Sequence, residues 1–356
     1  MKRMLHIVGS MAPGGIENFL MHLYRNIDRE LLQFDFIVNM KKENGYDEEI
    51  QGMGGKMYYA TRKSVNPLKN FLEVRRIIKG GGYDTVCRHS DNAFTVVDLL
   101  AAKLAGAKRI IMHSHSTDTA HKKIHGFFRL WMPWVTTHRF ACSGKAGRWM
   151  YGKADFQVIP NAIDTRLFSY SGEERERLRR QWKVEDKHVY GHVGSFVYAK
   201  NHALLLDIFA NICKQDEKAV LICVGDGPLR PEIEAKTEEL KLTQRVILTG
   251  KRGDVPAFLQ MFDLLLFPSR YEGLPVSVVE AQATGLRCLI SDTITKEVLL
   301  TAQAEAMEPE ASAEQWALRA ADMLTEESVK VRRSYEEEIK AAGYDIASLA
   351  RFYEAF

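Results

Sequence analysis

Short apolar strands alternate with amphipathic helical segments along almost all of this 356-residue chain. In the first half the strand signal lies in LHIVG (5–9), FDFIVN (34–39), TVCRH (85–89), RIIMHSH (109–115), FACS (140–143) and FQVIPN (156–161). A helix from about Ile16 to Asn26 follows the first, and DNAFTVVDLLAAKLAG separates TVCRH from RIIMHSH. Runs that are apolar on both faces, joined by helices, are the pattern of parallel strands with helical crossovers. The rhythm breaks once, at GEERERLRRQWKVEDK (172–187), which reads as a charged surface helix with its turn. A second series follows: HVYGHVGS (188–195), AVLICVGDG (219–227), RVILTG (245–250), DLLLFPS (263–269) and LRCLISD (286–292). The chain is also too long for one typical domain. The expected fold is α/β, with two Rossmann-like doubly wound domains at 1–160 and 161–340 and IPNAIDTRLF (159–168) as the linker. Such sheets bind ligands at the carboxyl ends of their strands, and two facing sheets would place a ligand cleft there.

The bulk properties exclude several classes. Net charge is +3, so no global field argues for nucleic acid. The five cysteines are scattered, with no C-x-x-C pair, which fits a reducing cytosol. At the N-terminus, MKRMLHIVGSMAPGG has a short apolar run containing His6, then Gly14-Gly15 and Glu17. This reads as a strand entering a glycine loop rather than a signal peptide. No stretch reaches the roughly 18 apolar residues of a spanning helix.

The most informative segment is YEGLPVSVVE (271–280). A buried strand precedes it and a helix ended by Gly285 follows, placing Glu272 in the loop and Glu280 about two turns into the helix. A helix N-terminus suits an anion such as a diphosphate, and a carboxylate beside it accepts hydrogen bonds from sugar hydroxyls. Spacing alone also fits a capping glutamate and a helix-face glutamate. In GSMAPGGIENFL (9–20), Gly14 and Gly15 allow close backbone approach to a bound group, or simply a tight turn. The loop lacks G-x-G-x-x-G and the second strand ends at Asn39, which weighs against a nicotinamide dinucleotide. His113 and His115 lie on one sheet face at a strand end. No third ligand is close in sequence, so no metal site is expected. Lys200, between a strand and a helix start, suits the charge of a departing diphosphate, or is a surface lysine. HKKIHGFFRLWMPWVTTHRF (121–140) mixes Lys122, Lys123 and Arg129 with Phe127, Phe128, Trp131 and Trp134. That composition suits an anionic membrane surface, although Pro133 breaks a simple amphipathic helix and a buried helix is the alternative.

Taken in order, these segments resemble the retaining GT-B glycosyltransferases, family 4 in particular. Glu272-Gly273-Leu274-Pro275 with Glu280 is similar to the family's E-x7-E element. S-H-S-T-D (114–118) resembles H-G-T-D, with His115 as the match, Ser116 in place of glycine, and Asp118 as the aspartate. VIPNAID (158–164) resembles I-P-N-G-I-D, with Ala162 for glycine. GSFVYAK (194–200) resembles G-R-x4-K, with Ser195 where arginine is usual. GDGPLR (225–230) resembles a turn after a strand, and LTGKRGDVPAFL (248–259) resembles the loop beside the nucleotide base, which makes Arg252 a substitute cation. The tail YDIASLARFYEAF (344–356) resembles the terminal helix that crosses back to the N-terminal domain, here 341–356.

The resemblance implies a GT-B fold whose C-terminal domain holds the donor. It implies retaining transfer from a nucleotide-sugar, UDP-sugars being the expected class, to a glycan or lipid-linked acceptor in surface polysaccharide synthesis. It implies neither metal nor cofactor. Glu280 would accept from ribose hydroxyls, and Glu272 would contact the donor sugar. The Gly273 and Leu274 N–H groups would orient sugar or phosphate. Lys200 would stabilise the leaving diphosphate, and His115 would hydrogen-bond the donor sugar. Placement would be cytoplasmic, at the inner face of the membrane, with contact through 121–140. Two rivals remain open: an NAD(P)-dependent oxidoreductase, and a non-catalytic nucleotide-sugar binding protein, which Ser195 keeps in play.

Overall fold

The computed structural model describes residues 1–40, 45–119, 122–308, 310–324 and 332–356. They form two compact units, Met1–Ala162 with Asp345–Phe356, and Ile163–Tyr344.

The first unit contains β1 (Lys2–Val8), β2 (Leu32–Val38), β3 (Met57–Tyr59), β4 (Thr85–Ser90), β5 (Arg109–Ser114), β6 (His138–Ala141) and β7 (Gln157–Val158). They make one sheet in the order β3-β2-β1-β4-β5-β6-β7, parallel throughout. β2 and β4 are buried at every position, as strands covered on both faces must be. The Gly15–Asn26 helix lays Phe19, Leu20, Leu23 and Tyr24 into the core against Phe34 and Phe36. The last helix, Ile346–Ala355, completes that core. Its buried residues, Ile346, Leu349, Ala350 and Tyr353, recur at helical spacing and form one stripe. Asp345 caps it by accepting from the Ser348 N–H at 2.9 Å.

Several strand ends depart from expectation, three of them on β5, β6 and β7. β7 stops at Val158 because Pro160 has no N–H to continue a ladder; the Ile159 N–H still donates to the Ala141 carbonyl at 2.8 Å. β6 begins two residues early, at His138. β5 stops at Ser114, leaving His115 just beyond, where its N–H donates to the Ser90 carbonyl at 3.2 Å.

The second unit contains β8 (His188–Val193), β9 (Ala219–Val224), β10 (Val246–Leu248), β11 (Leu264–Phe267), β12 (Arg287–Ser291) and β13 (Ala304–Met307), all parallel, in the order β10-β9-β8-β11-β12-β13. Its core joins Leu205, Leu206, Phe209 and Ile212 of the His202–Cys213 helix to Trp316 and Ala320 of the Ala313–Met323 helix.

The charged run forms the surface helix expected, but one of its faces is buried. Its Gly172–Trp182 helix turns Arg175 and Arg179 inward, each 8% exposed, onto Asp263. Arg175 also donates to the carbonyls of Gln260, Met261 and Phe262 at 3.0, 2.9 and 2.9 Å, at the end of the Val255–Met261 helix. Cations there meet the negative end of the helix dipole. Among the described residues no helix is long and apolar enough to cross a membrane.

Candidate functional site

In the second unit the loops after β8, β9 and β11 are tied together at the carboxyl ends of the strands. The Phe196 N–H donates to the Asp226 carbonyl at 3.0 Å, and the Arg270 N–H to the Ala199 carbonyl at 2.7 Å. Asn201, in the left-handed region at φ 56°, donates through its side chain to the Pro268 carbonyl at 3.1 Å. The glycines of GDGPLR have a structural reason. Gly225 has φ 149°, and a Cβ there would lie 2.0 Å from the Gly194 carbonyl oxygen; one on Gly227 would lie 2.5 Å from that of Phe196. Only glycine lets these two loops meet.

These ties hold Lys200 against Glu272. Lys200 Nζ lies 2.7 Å from Glu272 Oε1, with both side chains 16% exposed, and 4.6 Å from the Phe267 ring centroid. Lys200 is therefore not a solvated surface lysine. Gly273 is half-buried and Leu274 buried beside it, ahead of the Val276–Ala283 helix. Glu280 is the fifth residue of that helix, a little over one turn in rather than two. Among the described residues its carboxylate has no hydrogen-bond or ion partner. Burial alone pushes its pKa up to about 7.

That environment carries a pH prediction. A carboxyl group with a raised folded-state pKa favours the fold most below its unfolded value, near 4.5, and that contribution is lost as pH rises through about 7. Glu280→Gln is therefore expected to stabilise the unit by about 2 kcal/mol at pH 8 and hardly at all at pH 5. Urea melts at the two pH values check this; equal shifts at both would show that the carboxylate is not desolvated.

The remaining donor-side candidates are looser. Ser195 is exposed. Arg252 is exposed and already engaged, donating to both Asp254 oxygens at 2.8 and 2.7 Å. Arg270 was not legible as a site residue. It stacks over Tyr198, 4.5 Å from the ring centroid, and its backbone is bonded to the neighbour of Lys200.

In the first unit Gly14 precedes the Gly15–Asn26 helix in extended conformation, φ −165°, which any residue adopts. A Cβ on Gly15 would meet nothing within 4 Å. A tight turn is thus not what requires either glycine. His115 does not stand alone. His6 Nδ1 and His89 Nε2 are 2.9 Å apart, and His89 Nδ1 and His115 Nε2 are 2.9 Å apart. The His113 ring centroid is 4.0 Å from that of His115. Burial holds the His6 and His115 pKa values down to about 3, and those of His89 and His113 well below the usual imidazole range, so all four rings are neutral at neutral pH. The third nitrogen ligand that sequence spacing did not supply arrives through sheet register, which sets His89 beside His113. Asp118 pairs with Lys122 at 3.1 Å.

Within 121–140, His121 lies outside the described residues. The Lys122–Arg129 helix buries only His125, so the buried-helix alternative does not hold. Ile124, Phe127, Leu130, Trp131 and Trp134 are 49, 60, 71, 54 and 74% exposed.

Comparison with known proteins gives concordant results. Residues 13–167 match the model of Glycosyltransferase Family 4, and residues 174–342 that of Glycosyl transferases group 1. A putative glycosyltransferase, EpsF of Bacillus subtilis, is 36% identical over 315 residues, spanning 83% of this chain and 81% of that protein. An Escherichia coli protein named UDP-Gal:alpha-D-GlcNAc-diphosphoundecaprenol alpha-1,3-galactosyltransferase is 25% identical over 245 residues, 64% of this chain and 62% of its own. The crystal structure of HepE from Anabaena, in complex with UDP and glucose, superposes with a TM-score of 0.81 at 18% identity, over 100% of this chain and 99% of that one.

Proposed function

The chain belongs to the family 4 glycosyltransferases of GT-B fold, and from that premise we propose that it moves a sugar from a UDP-sugar to a glycan or lipid-linked acceptor, with retention of anomeric configuration and without a metal. One observation carries the reading: the half-buried Lys200–Glu272 pair and a partnerless, half-buried Glu280, all on loops and a helix at the carboxyl ends of β8 and β11. The uridine base is supported by the UDP in the HepE structure and the UDP-Gal in the name of the Escherichia coli relative.

In this reading Glu280 accepts hydrogen bonds from the ribose hydroxyls, which replace the solvent it lacks. Glu272 accepts from a hydroxyl of the donor sugar. The Gly273 and Leu274 N–H groups face the sugar or phosphate, and Gly14 and Gly15 leave room for the ligand's approach. Lys200 stabilises the negative charge that develops on the diphosphate as the anomeric carbon–oxygen bond breaks. The acceptor oxygen forms the new bond on the same face, and its proton passes to the leaving phosphate oxygen. His115 donates or accepts one hydrogen bond at the transferred sugar. Ser195 brings no charge, and Arg252 is engaged by Asp254; Arg270 supplies the second cation instead.

Thermal melting against a panel of nucleotide-sugars, with NAD and NADP included, tests this. A ligand that binds only the folded state at a hundred times its Kd adds about 2.7 kcal/mol of stability. One UDP-sugar, and UDP itself, are expected to raise the Tm. A shift only with GDP-sugars would overturn the base, and a shift only with NAD or NADP would overturn the site. Transfer is expected to survive chelators and to give a product with the donor's anomeric configuration by NMR.

The exposed aromatics of 124–134 and the neighbouring Lys122, Lys123 and Arg129 support peripheral docking on an anionic membrane, where a lipid-linked acceptor would lie. The chain is expected to sediment with phosphatidylglycerol vesicles and not with phosphatidylcholine vesicles. Failure to sediment with either would remove the membrane from the proposal.

A further inference from the structure

We propose that His89, His113 and His115 form a binding site for one borderline-soft divalent cation, Zn2+ being the reference ion. His89 and His113 are register partners on β4 and β5, and His115 follows two residues on. One nitrogen from each ring lies within 4.8 Å of the others. Tetrahedral zinc, with bonds of about 2.0–2.1 Å, needs ligand nitrogens about 3.3 Å apart, so modest ring rotations close the site. His113 is fully buried, and its ring nitrogens make no well-formed hydrogen bond, only an electrostatic contact with the Ile159 backbone. Burying a polar group unpartnered costs about 1–3 kcal/mol, a cost that a bound ion would remove.

The proton arrangement also fits. Each neutral ring carries one proton. If His89 carries it on Nε2, that N–H donates to His6 Nδ1 at 2.9 Å and frees His89 Nδ1 for the ion. His115 then carries its proton on Nδ1 and turns Nε2 to the same point. Ion binding therefore requires only tautomer shifts and no net proton release. The His89-to-His6 bond is the outer hydrogen bond that orients a metal-binding imidazole.

The donor set selects the ion. Three imidazoles without a carboxylate suit zinc, nickel or copper rather than magnesium or calcium, which take oxygen ligands. A second triad, His6, Cys87 and His89, shares His89. It is buried at every member, and burial pushes the Cys87 thiol well above its usual range. Only the first triad reaches half-buried His115, which gives an entry path. The ion would occupy the nitrogen of His115 that faces His89 and immobilise the ring, so zinc would act as an inhibitor of an enzyme that needs no metal.

The test reads the ion directly and does not depend on the proposed activity. The chelator-stripped full chain is titrated with Co2+, followed by visible absorption, and with Zn2+, followed by calorimetry. One ion per chain and the absorption of tetrahedral cobalt, displaced by zinc, are expected. His113→Leu should abolish the cobalt absorption, with far-UV circular dichroism and melting confirming its fold. Should that variant not fold, His115→Ala, at a half-buried position, puts the same question. His6→Phe should weaken zinc by about 10–100-fold, as loss of an outer partner does. Absence of a stoichiometric ion would overturn the proposal, as would cobalt absorption that survives in the folded ligand variant. Absorption that is instead lost in Cys87→Ala would place the ion in the deeper triad and overturn this one.

Discussion

Glu272→Ala is expected to lower sugar transfer by a hundredfold or more while UDP still binds. Glu272 is assigned to the sugar, and loss of a positioning contact is felt chiefly in the turnover rate, on the order of a hundredfold for a misplacement of about 1 Å. The substitution also strands Lys200, whose ammonium has the Glu272 carboxylate at 2.7 Å. Breaking a pair that is mostly out of water leaves an uncompensated charge; with both partners 16% exposed we expect about 2 kcal/mol of lost stability. Glu272→Gln keeps the volume and removes the charge, so it should share the kinetic defect with less loss of packing. The double variant Lys200→Met, Glu272→Gln should be more stable than Glu272→Gln alone, because no charge is then left unpaired. Initial rates with the donor found by melting, and urea midpoints for each variant, measure both effects. Wild-type turnover in Glu272→Ala would remove Glu272 from the site.

Asp263→Ala is expected to be the most destabilising single substitution in the second unit, at about 3–5 kcal/mol. Among the described residues Asp263 is the one carboxylate paired with Arg175 and Arg179, whose side chains are each 10% exposed, and it also accepts from the Val189 N–H at 2.7 Å. Its removal leaves two buried guanidinium groups with backbone carbonyls but no counter-charge. Domains are stable by only about 5–15 kcal/mol, so the loss is a large part of the margin. Because the chain has two units, denaturation should be followed by a local probe. Trp182 and Trp316 report on the second unit and Trp131, Trp134 and Trp149 on the first. Changes confined to the first pair are expected, and a loss below about 1 kcal/mol would show that the cluster is solvated in the folded state.

Sequence periodicity made most strands legible, because parallel strands covered on both faces leave uninterrupted apolar runs. The short strand Met57–Tyr59 and the Pro67–Gly81 helix were not read, the first because three residues, two half-buried and one exposed, carry no periodic signal. The site residues were visible as local motifs of loop and helix start. Their environment was not. Nothing in the spacing of Glu272 and Glu280 distinguishes a paired carboxylate from an unpaired, desolvated one. Arg175 and Arg179 sit in a run of charges that looks solvated, and their partner lies 88 and 84 residues away. His6 and His89 lie inside strand runs, and nothing in the sequence sets them apart. Only the register of β1, β4 and β5 lines them up behind His115.

The Ile346–Ala355 helix has a consequence for how the protein is made. Its buried stripe belongs to the core that Phe34 and Phe36 begin, yet it is synthesised only after the whole of the second unit. At about 5–20 residues per second, roughly 10–40 s separate the emergence of Ala162 from that of Asp345. During that interval the second unit is translated as one continuous stretch and has everything it needs to fold. The half that leaves the ribosome first is therefore the half that closes last, with an apolar groove waiting for its final helix. A premature stop between Tyr344 and Leu349 would harm the N-terminal unit and spare the one next to the stop.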